Sequence, residues 1–387
     1  MSEVHAHLTE EQLSLRNSIR RYLVAEVEPL IQEHEAKGTF PFHVLEGLAQ
    51  FGYLGGRLPE DIGGHGIDFR TWAMMLEELG YCWGSLRTIV NITNGPISRL
   101  AKFGSPEIKE KYLNSLFKGE ARPFTGITEP NVGSDVSSIE TQAVLDGDEW
   151  VIDGSKMWIT GAVYADFGIV IARTYSPNSD GALSAFLVDV HEHDGINVQK
   201  IDTMVLRSSG TSEVSFTNTR IPRGNLLGEE GTALAATLKE LSEARLNIAA
   251  GAVGAAQRAY DLSLDYAKSR YQFGKPIGSF QLVQKHLVDM RIEIDASRAL
   301  IFTAADALAA GKDSRVPTSI AKLYATESSH RVANTAMALH GALGYSTEYP
   351  IERIFRDTRG GTIPEGTSEI QTLIIGRQIT GLDAIGR

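Results

Sequence analysis

Apolar residues recur at helical intervals through the first third of the chain. Thr9-Glu-Glu-Gln12 resembles a capped helix start. The apolar positions that follow at helical spacing are Leu13, Ile19, Leu23 and Val27. Met74, Leu76 and Leu79 mark a second helix, which Gly80 is predicted to end. These patterns predict a helical domain over residues 1–122.

The pattern changes to strand-like alternation after Pro123. Residues 141–160 alternate between apolar and polar side chains, with turn signals at Asp146-Gly147-Asp148 and Asp153-Gly154. Further short β-prone runs follow, separated by Gly, Asn, Asp, Ser and Pro. The middle segment, residues 123–230, is therefore predicted to be an antiparallel β-barrel or sandwich.

Long helical patterns return over residues 231–387. The spacing of four, three and four residues predicts one continuous buried face, formed by Val283, Leu287, Met290 and Ile294. The fold class predicted from the whole pattern is α+β and mostly helical, in the order helical domain, small β domain, helical bundle.

Composition narrows the class of protein. The 387 residues carry a formal charge of -11, which argues against nucleic acid or an anionic membrane as the main partner. The single cysteine, Cys82, leaves no intrachain disulfide framework and fits a reducing compartment. No apolar run is long enough to span a bilayer, and the N-terminus lacks the order of a secretory signal. We expect a cytoplasmic protein.

Several familiar cofactor and nucleophile motifs are missing from the sequence. There is no G-x-G-x-x-G after a strand, no phosphate-binding P-loop and no G-x-S-x-G elbow. His191 and His193 flank Glu192, but no third ligand has suitable spacing, so no metal site is predicted. A nucleotide cofactor would therefore need a cradle of another kind.

Two segments of the β region could form such a cradle. In Thr128-Glu-Pro-Asn-Val-Gly-Ser-Asp135, Thr128, Ser134 and backbone N–H groups offer hydrogen bonds to a polar ligand edge. In Lys156-Met-Trp-Ile-Thr160, strand periodicity puts Trp158 and Thr160 on one face, which suits a flat heteroaromatic ring. The alternative is that Trp158 belongs to the core and Thr160 to the strand surface.

Glu365 lies in a short turn flanked by Pro364 and Gly366, just before a helical pattern. Ser368 and Gln371 have the spacing of an S-x-x-Q capping box for that helix. An acid in a constrained turn suits a general base, and this segment alone is also that of an ordinary solvated residue before a helix.

Five motifs together resemble the acyl-CoA dehydrogenase flavoproteins, in the same order and over essentially the whole chain. They are Thr128-Glu-Pro with Gly-Ser-Asp135, Trp158-Ile-Thr160, Arg270-Tyr-Gln-Phe-Gly274, Gly341-Ala-Leu-Gly-Tyr345 with Glu348-Tyr-Pro350, and Glu365-Gly-Thr-Ser368. The resemblance implies an N-terminal helical domain, a middle β-barrel and a C-terminal four-helix bundle, usually in a homotetramer.

The resemblance also implies FAD and the residues that bind it. The positions matching flavin contacts are Thr128, Ser134, Trp158 and Thr160. Those matching contacts to the pyrophosphate and adenosine, across a subunit interface, are Arg270, Phe273, Gln281 and Gly341. Thr367 and Glu369 match a further stretch that contacts the cofactor.

The implied chemistry is α,β-dehydrogenation of an acyl thioester. Glu365 would remove the α-proton while the β-hydrogen leaves as hydride to the flavin, and an electron-transfer flavoprotein would usually reoxidise the flavin. Arg245 matches an arginine behind the catalytic site, and Ser242, like Ser134, lies on the substrate path. Some relatives carry the base just before that arginine, but here the position holds Ala244, and Glu243 is one step away, about 100° around the helix.

Local likeness is greatest to glutaryl-CoA dehydrogenases, in which the position of Arg87 binds the distal carboxylate of the substrate. Pro364 replaces their aromatic before the base, and Gly80 stands in place of a second acid. We therefore expect a short, polar or carboxylated acyl group on CoA or a carrier protein. The alternatives are oxidative decarboxylation as in glutaryl-CoA dehydrogenases, and a non-catalytic flavin-binding scaffold. For Arg87 the alternative is a surface arginine after a helix terminus.

Overall fold

Twelve α-helices and nine β-strands lie within residues 8–384, the part of the chain that the computed structural model describes. The helices are α1 (Glu10–Tyr22), α2 (Glu28–Lys37), α3 (Val44–Ala49), α4 (Phe69–Cys82), α5 (Gly84–Phe103), α6 (Pro106–Ile108), α7 (Asn114–Lys118), α8 (Ala233–Ser269), α9 (Gln281–Ala309), α10 (Arg315–His340), α11 (Pro350–Gly360) and α12 (Ser368–Thr380). The strands are β1 (Pro123–Gly126), β2 (Gln142–Asp146), β3 (Glu149–Ile159), β4 (Phe167–Ser176), β5 (Ser179–Asp189), β6 (Ile196–Lys200), β7 (Ser212–Pro222), β8 (Tyr271–Gln272) and β9 (Lys275–Pro276). The predicted order of helices, β domain and helices is confirmed, while the domain limits at 122/123 and 230/231 remain predictions.

Helix α1 begins at the predicted capped start, and the cap is a capping box. The Thr9 hydroxyl accepts a hydrogen bond from the Gln12 N–H at 3.2 Å, and the Gln12 side chain accepts one from the Thr9 N–H at 2.9 Å. The predicted end of the second helix at Gly80 is wrong, because α4 continues to Cys82. A Cβ on Gly80 would lie 2.0 Å from the carbonyl oxygen of Gly251 in α8. This glycine is therefore required by close helix packing rather than by a helix terminus.

The middle strands of the described range form one seven-stranded sheet in the order β1-β4-β2-β3-β7-β6, with β5 on the other side of β4. The pairs β2–β3, β3–β7, β4–β5 and β6–β7 are antiparallel, as expected. Strands β1 and β2 instead run parallel to β4, so the prediction of an antiparallel sheet is wrong for these two pairs of strands. Alternation within a strand reports which face is buried, and it carries no information about the direction of the neighbouring strand.

The C-terminal helices pack as a bundle in which α10 contacts α8, α9 and α12, and α4 of the N-terminal region packs against α8. Helix α9 only partly agrees with its predicted buried face. Met290 and Ile294 are buried, whereas Val283 and Leu287 are half-buried. Apolar side chains that α9 leaves exposed in the single chain are Leu282, Val288 and Ile292. Nowhere in residues 8–384 does a helix combine the length and apolarity needed to cross a membrane.

Candidate active site

Glu365 lies in the turn between α11 and α12 and has an unusual backbone conformation. Its φ of +58° is left-handed, which for a residue with a Cβ costs about 1–3 kcal/mol. The side chain is half-buried, and its carboxylate accepts no hydrogen bond from residues 8–384. Its backbone N–H is likewise free of hydrogen bonds over that range. The left-handed main chain and the half-burial of the side chain set Glu365 apart from a fully exposed residue, and its role as the base stays a prediction.

Buried donors hold the carbonyl groups of this turn. The Glu365 carbonyl accepts from Arg245 Nε at 3.3 Å and from Gln371 Nε2 at 3.0 Å. The next carbonyl, of Gly366, accepts from Gln371 Nε2 and from Lys322 Nζ, both at 2.8 Å. Lys322 and Gln371 are fully buried. These bonds hold the left-handed conformation and leave the carboxylate and the N–H of Glu365 available.

The capping box predicted for the following helix is wrong. Thr367, not Ser368, is the N-cap of α12 and accepts from the Ile370 N–H at 3.4 Å. Ser368 donates to Glu327 at 2.6 Å. Gln371 instead turns back and donates to the carbonyls of residues 365 and 366. Lys322, a lysine within a helix of small buried residues, was missed from the sequence because its partners lie 40 and 44 positions away.

Burial and three cations set the charge state of Glu365. Burial raises the pKa of Glu365 above its ordinary value, and the positive charges of Arg245, Arg87 and Lys322 partly oppose that rise. Burial also lowers the pKa of Lys322 to about 8, against the effect of the Glu365 charge. An acid with a raised pKa keeps its proton to a higher pH than a solvated glutamate does.

Arg87 occupies the first turn of α5 and is only 8% exposed, so its reading as a surface arginine is wrong. Its guanidinium donates no hydrogen bond to any of residues 8–384. Burial lowers the pKa of Arg87 to about 10, while Glu365 and Asp357 act in the opposite direction. A Cβ on Gly251 of α8 would come within 2.8 Å of Arg87 Cδ. The glycine thus makes the space in which Arg87 lies beneath α8.

The other candidate acids near the site are excluded by packing or pairing. Gly80 has no room for a side chain, so no second acid can stand there. Glu243 forms an ion pair with Arg57 at 2.9 Å. This pairing holds the Glu243 carboxylate away from the place that a base at residue 244 would occupy. Ser242 is buried one turn before Arg245. Within residues 8–384 no three His, Cys, Asp or Glu side chains are grouped to hold a metal.

The two predicted cradle segments lie side by side in the β domain. The Met157 N–H donates to the Thr128 carbonyl at 2.8 Å, which joins the strand to the turn. Trp158 has a φ of +63° at an irregularity of β3 and is 59% exposed, so the alternative that it belongs to the core is wrong. The regular strand periodicity assumed for this segment is also wrong. The irregularity still leaves Ile159 facing the core, 3% exposed, and Trp158 facing outward.

A buried ion pair connects the two cradle segments. Lys156 Nζ donates to Glu129 Oε1 at 2.7 Å and to the Ile127 carbonyl at 3.2 Å. Glu129 also accepts the N–H groups of Glu140 and Thr141, at 2.6 and 2.9 Å. Burial lowers the pKa of Lys156 to about 8, although Glu129 acts to raise it. A lysine at an inward position of a strand is the sequence signal that would have predicted this buried pair.

The cradle suits a flavin ring by its chemistry. The two segments together carry an exposed aromatic side chain, Trp158, and three hydroxyl groups that can bond to polar ring edges, those of Thr128, Ser134 and Thr160. Flat heteroaromatic ligands need this combination of a stacking surface and a few directed polar groups.

The residues matched to the other end of FAD form a separate group at one end of the bundle. They are Arg270, Phe273, Gln281 and Gly341. Tyr266 and His340 stack at 4.5 Å, which brings the end of α8 beside the end of α10. Phe273 is 92% exposed. Among the described residues, no hydrogen bond, ion pair or ring contact joins this group to Trp158 or its neighbours. Thr367 caps α12, and its hydrogen bond lowers the pKa of exposed Glu369.

Three models of known domains match the chain in succession. They describe the acyl-CoA dehydrogenase N-terminal domain over residues 9–120, the middle domain over residues 125–219 and the C-terminal domain over residues 230–380.

Full-length similarity to individual proteins agrees with these matches. The chain is 39% identical to the probable acyl-CoA dehydrogenase YngJ of Bacillus subtilis, over 96% of this chain and 98% of the relative. It is 34% identical to a 3-(aryl)acrylate reductase of Clostridium sporogenes, over 95% and 98% of the two chains. A glutaryl-CoA dehydrogenase of Mycobacterium smegmatis, solved in complex with FADH2, superposes with a TM-score of 0.92 at 29% identity, over 98% and 97% of the two chains.

Proposed function

Because the chain belongs to the acyl-CoA dehydrogenase family and is an FAD-dependent oxidoreductase, we propose that it oxidises a short acyl thioester with a polar or carboxylated tail to the trans-2-enoyl thioester. The observation that carries this proposal is a pair of charged side chains that form no hydrogen bond with residues 8–384. The Glu365 carboxylate and the Arg87 guanidinium interact electrostatically, yet neither has a hydrogen-bond partner among residues 8–384.

Glu365 acts as the base that removes the α-proton. The left-handed turn fixes the main chain of Glu365. The carboxylate and the free N–H therefore belong to one rigidly held residue. The N–H donates to the thioester oxygen and stabilises the negative charge that grows there as the proton leaves. Arg245, Lys322 and Gln371 hold the turn from behind through its carbonyls. The acyl chain excludes water around the carboxylate and strengthens it as a base.

Thr128, Ser134, Trp158 and Thr160 hold the flavin end of FAD. Bound FAD supplies the acceptor for the hydride that leaves the β-carbon. Arg270, Phe273, Gln281 and Gly341 hold its other end from a second copy of the chain, in a homotetramer. The exposed apolar residues of α9 support this assembly, since a second copy would bury them. The carrier of the acyl group is CoA or a carrier protein, and an electron-transfer flavoprotein is the electron acceptor.

Replacing Arg87 by Met should weaken oxidation of a carboxylated thioester more than that of a plain one. Loss of a charge-assisted hydrogen bond of about 1.5–3 kcal/mol corresponds to roughly 10- to 100-fold in kcat/KM. Rates of anaerobic flavin bleaching by glutaryl and n-valeryl thioesters measure this effect, and the valeryl thioester serves as the internal control. Equal losses on both substrates would remove the proposed role of Arg87.

The rate should fall on the acid side at a higher pH than an ordinary glutamate predicts. The base must be ionised, and burial raises the pKa of Glu365, so activity is lost as the pH falls through that raised value. Lys322→Met removes a cation that lowers this pKa and should move the acid limb of the kcat/KM profile to still higher pH.

The matched control for this shift is Gln371→Met, which removes neutral hydrogen bonds from the same turn. It should lower kcat with little movement of the acid limb. An acid limb that stays in place in Lys322→Met would contradict the assignment of Glu365 as the titrating base.

Two variants of the reaction use the same site. Oxidative decarboxylation is disfavoured because Gly80 leaves no room for a second acid. Release of CO₂ from a glutaryl thioester would show that decarboxylation occurs. The reductive direction is supported by the relative named as a reductase, and oxidation of dithionite-reduced enzyme by an enoyl thioester tests it. A flavin that no acyl or enoyl thioester changes would support the non-catalytic scaffold.

A further inference from the structure

Helix α11 anchors the segment between β6 and β7 at two points. Asp357 Oδ1 accepts a hydrogen bond from the Leu206 N–H at 2.7 Å, and Arg356 Nη1 donates to the Met204 carbonyl at 2.7 Å. Leu206 has a left-handed φ of +50°, a conformation that is costly for a residue with a Cβ. The bond to Asp357 therefore helps to hold a main-chain conformation that leucine disfavours.

The anchored segment reaches the flavin cradle through main-chain hydrogen bonds. The Leu206 carbonyl accepts from the Ser209 N–H at 2.9 Å and from the Ser209 hydroxyl at 2.7 Å, which closes the turn. The carbonyls of Ser209 and Gly210 accept in turn from the Gly161 N–H, at 2.9 and 3.2 Å. That N–H belongs to the planar peptide unit that follows Thr160, so residues 206–210 fix the main chain at Thr160.

A second acid holds the same segment from helix α2. Glu35 is 7% exposed, and its Oε1 accepts from the Ser208 hydroxyl at 3.3 Å. Donors at the start of α5 bond to the same oxygen, namely Trp83 Nε1 at 2.8 Å and Ser85 Oγ at 3.1 Å. The other oxygen, Oε2, is buried and has no hydrogen-bond partner among residues 8–384. Helix α2, the start of α5 and the 206–210 segment thus meet at one carboxylate.

The anchor at Asp357 depends on an acceptor oxygen rather than on a charge. Burial raises the pKa of Asp357 to about 7, and the negative charge of Glu35 adds to that rise. The Leu206 N–H and the positive charges of Arg353 and Arg356 act in the opposite direction. Both the neutral and the ionised carboxyl are therefore present near neutral pH, and each offers an oxygen to the Leu206 N–H.

The helix that bears Asp357 leads directly into the turn of the candidate base. Helix α11 ends at Gly360, and the Gly361 N–H donates back to the Thr358 carbonyl at 3.2 Å. The chain then enters the turn that carries Glu365. One helix therefore connects the anchor of the flavin side to the residue expected to take the α-proton.

We propose that Asp357 is a positioning residue that holds the flavin cradle at a fixed place relative to the Glu365 turn. It fixes residues 206–210, and these fix Thr160 through the Gly161 N–H. This inference rests on the proposed function, because it takes Thr160 to contact the flavin and Glu365 to be the base. The proton and the hydride leave adjacent carbons, so the base and the flavin must keep a fixed separation.

Asp357→Leu should slow anaerobic flavin reduction by a short acyl thioester by roughly 10- to 100-fold in enzyme saturated with FAD, the effect of a misplaced reacting group. FAD should also leave the diluted holoenzyme roughly 2- to 30-fold faster, as measured by flavin fluorescence. Asp357→Asn keeps an acceptor oxygen and should restore most of both rates. Wild-type rates in Asp357→Leu, or equal losses in both variants, would overturn the role of this acceptor.

A matched control separates positioning from a general loss of stability. Tyr112→Phe removes a buried hydrogen bond from the Tyr112 hydroxyl to Asp189, 2.6 Å long, at the end of β5. It should lower the urea midpoint and leave both flavin rates near those of wild type. Flavin losses in Tyr112→Phe as large as those in Asp357→Leu would contradict a specific role for Asp357.

Ser208→Ala keeps the proposal testable if Asp357→Leu does not fold. It removes the hydroxyl that ties the segment to Glu35 and leaves that carboxylate its donors from α5. Both flavin rates should change in the same direction as in Asp357→Leu, by a smaller factor. Unchanged flavin rates in Ser208→Ala would then overturn the proposal.

A double-mutant cycle with Thr160→Val tests the route and separates this inference from the proposed function. The effect of Asp357→Leu on FAD release should be smaller in the Thr160→Val background than in wild type, and equal effects would overturn the route. FAD release needs no substrate, so the cycle gives its answer even if no thioester reduces the flavin. If Thr160→Val alone leaves FAD release unchanged, the proposed flavin contact fails. If Thr160→Val speeds release and Asp357→Leu does not, this inference alone fails.

Discussion

Glu365→Gln is expected to bind FAD normally and to lose flavin reduction by substrate by roughly 10²- to 10⁴-fold, the usual contribution of a general base. The amide cannot take the α-proton. The turn should persist, because Arg245, Lys322 and Gln371 hold it through main-chain carbonyls that the substitution leaves unchanged. Anaerobic stopped-flow bleaching of the flavin with a short acyl thioester measures the effect, and the flavin absorbance of the purified protein confirms that FAD is retained.

The matched control is Glu243→Gln, on the helix where some relatives carry their base. Glu243 is paired with Arg57, so its neutralisation should leave most of the reduction rate in place. If Glu365→Gln reduced its flavin as fast as wild type, or if Glu243→Gln alone abolished reduction, Glu365 would not be the base.

Lys156→Met is expected to destabilise the protein by about 3–5 kcal/mol, because it leaves the Glu129 carboxylate buried without its cation. Lys156 is fully buried and Glu129 is 4% exposed, so solvent screens neither charge. The pair ties the Thr128 turn to the Trp158 strand, so affinity for FAD should fall together with stability. Urea unfolding of the holoenzyme and FAD retention on dilution measure the two effects.

A double substitution distinguishes a stranded charge from lost packing. Glu129→Gln added to Lys156→Met removes the unpaired charge and keeps an acceptor for the N–H groups of residues 140 and 141, so part of the stability should return. Arg220→Met is the matched control on the same sheet, since its pairs with Asp146 and Glu149 are exposed and it should change stability little. A loss in Lys156→Met no larger than that in Arg220→Met would show that the buried pair is unimportant.

The sequence predicted the site best where function depends on short segments. Three segments of the site are each shorter than ten residues: the Thr128 turn, the Trp158 strand and the Glu365 turn. Motifs of that length can be recognised directly in the sequence. Gly80 shows where such reading fails. A glycine after an apolar helical pattern suggested a helix end. A glycine is required there because the backbone of Gly251, 171 positions later, packs against it, and no local pattern can reveal that contact.

The sequence by itself determined the order of helical and β segments, the family, the cofactor class and Glu365 as the candidate acid, because periodicity and local motifs are properties of neighbouring residues. Only the tertiary structure decided what surrounds that acid. Lys322 and Gln371 clamp its turn, Glu243 is tied to Arg57, and Arg87 is buried beneath Gly251. Each of these depends on which side chains meet across the packed helices. Burial raises the pKa of Glu365, and the charges brought together by this packing partly oppose that rise.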